Sequence, residues 1–320
     1  MAQDTGVQDS VFSLAVATGG RAERWFAARA SGLYVSDDGG RSWRDAYGSL
    51  GLAAPLTTAA VALSPQYNRD RTVFVGVMGG VLRSTDGGDT WTTAILPEPP
   101  PYVVALTASP CYEEDGLVFA ATMEDGVYRS WDRGANWASW NFGLLDLSVF
   151  SLAISPSFQA DETLFAGTES GIFRSTNGGR AWRELPFPME YAPVLALALS
   201  PAFETDRTMV VGTEAHGIFF STDGGATWNP ALDFETSRAV NQLVYVFSRP
   251  DRRTIVALVG ADVFCSHNGG RDWAKMPISG AESAGPTCFC AVESPDGRGR
   301  LLVGFDDGRV LVGEIPQQVV

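Results

Sequence analysis

The chain has 320 residues, 45% of them hydrophobic and 19% charged, with a formal net charge of −14 at pH 7. Such a composition predicts an ordered protein with ample core, and its acidity argues against nucleic acid and anionic membrane surfaces as partners. No run approaches the roughly 18 apolar residues of a membrane-spanning helix, so membrane insertion by that route is not expected.

The first ten residues are polar, with neither a basic start nor an apolar core, and predict no signal peptide in this sequence. A cytoplasmic location is therefore expected; an export signal trimmed from the sequence would leave the same reading. From residue 11 the chain divides into seven units, approximately 11–50, 57–98, 103–145, 149–188, 194–235, 240–280 and 286–320. In the fourth, segments 149–155, 163–167, 171–175 and 181–185 are short, rich in β-branched and aromatic residues, and separated by Gly, Pro, Ser and Asp. That is strand chemistry. Near-continuous apolar runs such as 194–199 predict an innermost strand covered on both faces. Innermost strands are expected near Val61, Val104, Leu152, Leu197, Leu243 and Phe289.

Two motifs punctuate the units. Between the first and second strands stand Ser64-Pro65-Tyr67-Asp70, Ser109-Pro110-Tyr112-Asp115, Ser155-Pro156-Phe158-Asp161 and Ser200-Pro201-Phe203-Asp206. They read as turns preset by proline, with the ring tucked beneath and Asp closing the loop. Between the third and fourth strands a box Ser-x-Asp-x-Gly-x-x-Trp occurs six times. Its third positions are Asp38, Asp86, Asp132, Asn177, Asp223 and Asn268, and its tryptophans are Trp43, Trp91, Trp137, Trp182, Trp228 and Trp273. The Asp or Asn is expected to bond N–H groups two residues on, the Gly to supply positive φ, and the Trp to start the outer strand and bury its ring between units. All six boxes thus have a sufficient structural role.

A period near 45 residues with four strands per unit is that of a β-propeller blade. The prediction is an all-β fold: a single seven-bladed propeller of four-stranded antiparallel blades, one domain over 1–320. The seventh blade has strands at 288–293, 301–304 and 309–315 but no box and no clear fourth strand. Residues 1–10, or the tail 316–320, are expected to complete it, since an open edge is a liability.

These boxes resemble the BNR or Asp-box repeat propellers, which include sialidases, xyloglucanases, sortilin-type receptors and a photosystem II assembly factor. The resemblance runs through residues 11–275 and implies the fold more specifically than any activity, because the shared motif is the structural turn. It implies for a sialidase an arginine triad and a Phe-Arg-Ile-Pro signature. Only Arg238 and Arg309 fall on the suitable face and the signature is missing, so that activity is not expected. For a xyloglucanase it implies a cleft between two propellers, and one is present. For the assembly factor it implies an arginine-rich patch, which this acidic chain lacks.

The face opposite the boxes carries the loops that vary. Strand two-to-three turns hold Glu124, Asp125, Glu169, Glu214, His216, Asp262, Asp306 and Asp307. Blade-to-blade linkers hold Tyr102, Trp140, Phe142, Phe187, Tyr191, Phe234 and Arg238, with Glu190 and Glu235 among them. Two readings follow. The aromatics and Arg238 form a binding platform rimmed by acids. Alternatively, two of Glu124, Glu169, Glu190, Glu214 and Glu235 work as a glycosidase pair, which needs opposed carboxylates. Two histidines, His216 and His267, are too few for a zinc cluster, and no nucleotide fingerprint is present, so neither metal nor cofactor is expected. Cys111, Cys265, Cys288 and Cys290 are expected to be free thiols. The reading is a non-catalytic interaction scaffold for a protein or polysaccharide, with glycoside hydrolysis the alternative; oligomeric state is left open.

Overall fold

A computed structural model describes residues 9–19, 23–97, 99–232, 238–247, 253–278, 280, 284–294 and 296–316. Seven antiparallel sheets are present, six of four strands and one of three, each with its strands side by side in chain order. The innermost strands are Val11–Ala17, Thr58–Leu63, Tyr102–Ala108, Val149–Ile154, Val194–Leu199, Val240–Tyr245 and Pro286–Glu293, the last six at the expected places. Val11–Ala17 lies beside both Thr58–Leu63 and Pro286–Glu293, so the ring is closed. The chain is a seven-bladed β-propeller.

Blades pack where small residues allow it. A Cβ on Gly304 in the seventh blade would stand 2.7 Å from Val11 Cγ1 in the first. Gly76 and Gly212 face Val103 and Val240 of their next blades in the same manner. Every innermost strand also carries a β-bulge, which skips Phe12, Ala59, Val104, Phe150, Leu195, Asn241 and Thr287 in turn. A bulge re-aims one side chain, and these seven line a central channel of about 270 Å³.

The Ser-Pro loops differ from the expected simple turns. Each forms one helical turn: Tyr67–Asp70, Tyr112–Asp115, Phe158–Asp161 and Phe203–Asp206. Ser64 Oγ donates to Asp70 Oδ2 at 2.6 Å, and the other Asp oxygen accepts Thr72 N–H at 2.9 Å. The ring does more than tuck under its loop. It crosses edge-on to a phenylalanine of the preceding blade: Tyr67 to Phe26, Tyr112 to Phe74, Phe158 to Phe119 and Phe203 to Phe165.

In the boxes, serine and aspartate divide the work differently from expectation. Ser84 Oγ accepts the N–H of Gly88 at 2.8 Å and donates to Asp86 Oδ1 at 2.7 Å. Asp86 then accepts N–H groups three and four residues on, from Asp89 and Thr90. The box glycines all have positive φ, between 82° at Gly179 and 94° at Gly88. Trp91, Trp182 and Trp228 donate from Nε1 to carbonyls of the preceding blade, at Ala46, Trp140 and Pro186. Trp137 and Trp273 donate instead to their own box glycines.

Among the described residues the seventh sheet has three strands, Pro286–Glu293, Gly299–Phe305 and Val310–Glu314. Of the two segments expected to complete it, only Asp9, Ser10 and Pro316 are among the described residues.

Candidate functional site

The loop face is built by one repeated hydrogen bond. At the strand two-to-three turns a backbone N–H reaches the carbonyl just ahead of an innermost strand, that of the same blade from Glu169, Glu214 and Gly260 and that of the next blade from Gly79 and Gly126. Gly79 bonds Pro101, Gly126 bonds Leu147, Glu169 bonds Ser148, Glu214 bonds Pro193 and Gly260 bonds Ala239. Turns and linkers therefore share one face around the channel mouth, while boxes and one-turn helices share the other, as in the bond from Gly87 N–H to Arg71 O.

The predicted residues separate into two groups on this face. Phe142 and Tyr191 are 81% and 84% exposed. Glu124, Glu169, Glu190 and Glu214 are exposed as well. Trp140, in contrast, lies under the Arg129 guanidinium, 4.5 Å from its ring centre. Phe187 packs edge-on against both Phe219 and Trp228, and Tyr102 is half-buried at the start of its innermost strand. Arg238 is engaged with Asp262 at 2.6 Å, and Lys275 reaches the same carboxylate at 2.8 Å. Hydrogen bonding from Lys275, with Arg238 beside it, holds the Asp262 carboxyl below the usual range. Phe234 and Glu235 lie outside the described residues.

The structure brings Glu190, Phe187 and Tyr191 together. With Glu184, Leu185, Pro186, Met189, Ser170 and Gly171 they line a groove of about 590 Å³ over the fourth blade. Glu124, Glu169 and Glu214 sit on turns of three successive blades, the third to the fifth.

Backbone strain marks two of the predicted residues. Of the six non-glycine residues with positive φ among the described residues, Arg71, Glu162 and Arg207 end one-turn helices and Arg133 lies in a box. The remaining two are Glu124 and Tyr191, at 74° and 52°. A bulky residue in that region is an outlier, and such strain tends to gather where function resides.

Sequence reasoning missed the methionines and aliphatics. Met78 and Met123 stand exposed on turns, and Met189, Leu145 and Leu147 on linkers. The only sequence signal for them is position: each falls where the repeat has no consensus.

The four cysteines are unpaired. Burial pushes the Cys265 thiol up to about 11 and Cys288 up to about 12, which keeps both protonated. His267 sits beside Thr254 and Cys265 on the sixth blade, away from the loop face, and burial lowers its pKa. Among the described residues no three His, Cys, Asp or Glu are grouped to hold a metal ion, and no helix is long and apolar enough to cross a membrane.

Residues 219–230 match the BNR/Asp-box repeat family. The chain is a β-propeller that carries this repeat. No curated protein sequence matches this Asp-box propeller. Solved structures resemble it in fold. YCF48 bound to D1 peptide is 18% identical with a TM-score of 0.70, over 98% of this chain and 94% of that one. The GH74 xyloglucanase from Xanthomonas campestris is 14% identical with a TM-score of 0.73, over 96% of this chain and 52% of the enzyme. The extracellular domain of the one-component system BT4673 from B. thetaiotaomicron is 14% identical with a TM-score of 0.70, over 98% of this chain and 39% of that one. The Asp-box propeller thus spans about half or less of two of these relatives.

Proposed function

We propose that this propeller is a non-catalytic scaffold that holds a protein segment against its loop face. One observation carries the reading: the distribution of exposed apolar side chains. Of twelve large hydrophobics exposed among the described residues, nine lie on the turns, linkers and channel mouth of this face; Ile95 ends the second blade's outer strand opposite Gly80, and Trp131 and Val312 lie elsewhere. Isolated exposed hydrophobics are ordinary, but their concentration on one face around a concavity is what a docking surface looks like. Three of them, Met78, Met123 and Met189, are flexible thioethers suited to adaptable contacts. The likeness to YCF48, solved with a bound peptide, supports the same class of role.

The alternative, glycoside hydrolysis, draws support from the likeness to the GH74 enzyme. Turnover separates the two. The protein is incubated with aryl glycosides and plant and bacterial polysaccharides across about pH 4–8, the span in which a carboxyl pair operates. No release of reducing sugar is expected. Release that disappears with Glu124→Gln, Glu169→Gln, Glu190→Gln or Glu214→Gln in a folded protein would overturn the proposal.

A further inference from the structure

The groove over the fourth blade opens where two other blades place a covering side chain. In the first blade, Tyr47 lies over the strand two-to-three turn, its ring 3.6 Å from where a Gly32 Cβ would stand, and its hydroxyl meets Thr58 at 2.7 Å. In the third, Asn141 takes that place, accepting Val127 N–H at 2.8 Å and donating to Asp125 O at 3.0 Å. The register is fixed by the preceding residue, since Ala46, Trp140 and Leu185 all bond back to the third strand, at Leu33, Val127 and Ile172. In the fourth blade the covering position falls to Pro186, whose ring has no polar group to offer the turn. Nothing lies within 4 Å of where a Gly171 Cβ would be.

The uncovered turn satisfies its own backbone. Thr168 N–H bonds Gly171 O at 2.8 Å, and Ser170 N–H bonds Asp146 Oδ2 at 2.6 Å. The groove floor therefore offers surface to a visiting side chain and no open strand edge to a visiting backbone. Its walls supply Leu185, Phe187, Met189 and the strained, outward-held Tyr191. The charged side chains lining it are Glu184 and Glu190, both exposed; neither has an ion-pair partner among the described residues, and no Lys or Arg lines the groove.

We infer that this groove seats a basic, amphipathic peptide segment, with a lysine or arginine between Glu184 and Glu190 and an apolar neighbour on Phe187 and Tyr191. The inference rests on the loop face being a protein-binding surface, and adds the partner's chemistry and its point of anchorage. Unpaired carboxylates beside apolar walls select a cation with an apolar flank, and a Tyr191 ring face adds attraction for it. A neutral polysaccharide brings no charge to pair with the two carboxylates.

The test uses two short fluorescein-labelled peptide pools sharing Leu, Phe and Met, one with Lys and Arg and the other with Asp and Glu, followed by anisotropy. Binding is compared on the wild type, on Glu184→Gln/Glu190→Gln, and on Glu114→Gln/Glu204→Gln, which removes the same charge from the box face. The basic pool is expected to bind the wild type at least about tenfold more tightly than the acidic pool. The groove pair should lose about tenfold of that affinity, and the box-face pair should stay within about twofold. Pro186→Tyr, which restores the cover found in the first blade, should also weaken the basic pool. Equal losses from the two glutamine pairs, or displacement of the pool by a xyloglucan oligosaccharide, overturn the inference. Binding of both pools without charge preference, lost with Tyr191→Ala, overturns it while leaving the loop-face reading intact. Binding of neither pool contradicts both.

Discussion

The side-chain amide of Gln242 brackets the backbone of Phe289 in the next blade, donating from Nε2 to its carbonyl and accepting its N–H on Oε1, both at 2.8 Å. Innermost strands of neighbouring blades run beside one another without a ladder between them, so such bridges are what join them in register. Ser13 makes a related contact to Val61 N–H at 3.3 Å, and Ser151 one to Val194 O at 3.4 Å. Gln242→Leu keeps the volume but strands two backbone groups, and should cost about 1–3 kcal/mol. Urea unfolding measures it. A loss no larger than that of an exposed substitution would mean water replaces the bridge.

Trp182 is the most buried of the box tryptophans, 5% exposed, and its Nε1 donates to Trp140 O at 2.8 Å. Trp182→Ala should cost about 3–5 kcal/mol. Phe142→Ala, on the same inter-blade seam but open to water, should stay within about 0.5 kcal/mol. Comparable losses at both positions would contradict the division between scaffold and face.

Acid should find the boxes. Asp38 and Asp223 are lowered from 3.8 to about 2, chiefly by hydrogen bonds from the Ser42 and Thr227 side chains. A carboxyl depressed by folding adds stability that is complete above its unfolded pKa and is lost as pH falls through the folded one. The window therefore lies between about pH 4 and pH 2. Asp38→Asn/Asp223→Asn should flatten this limb, because Asn177 and Asn268 already accept the same serine hydroxyls. Melting temperatures that fall in parallel for wild type and variant would show these carboxylates to be silent.

Thiol reactivity offers a simple check on the core. With Cys265 raised to about 11 and Cys288 to about 12 by burial, both should resist a disulfide reagent at about pH 8 until the protein is unfolded, since the thiolate is the attacking species. Prompt reaction at either position in native protein would place it outside a packed blade.

Much of the fold was legible because it is written six times. The spacing of Trp43 through Trp273 set the blade length, and strand patterns placed the innermost strands. The one-turn helices escaped because four residues are too few for a helical period to show. The pairing of Tyr67 with Phe26 escaped because it is a contact between units, and a repeat reveals only what lies within one. Exposure on the candidate face was half legible. Departure from consensus directed attention to the linkers, and so to Phe142 and Tyr191, but burial could not be read there: Phe187 and Trp140 look alike in sequence and turn out to be packed. Gly171 left no mark, because its meaning depends on Pro186 standing where Tyr47 and Asn141 stand in other blades.

The central claim is that the loop face, and not the box face, is where a partner docks. A random peptide display library is panned in parallel on the wild type, on Phe142→Ser/Leu145→Ser/Tyr191→Ser, and on Trp131→Ser from the box face. Sequences enriched on the wild type should be retained by the Trp131→Ser protein and lost by the triple variant, whose melting temperature should match the wild type because all three side chains are exposed. Enrichment that survives the triple variant undiminished, or that vanishes with Trp131→Ser alone, would contradict the account.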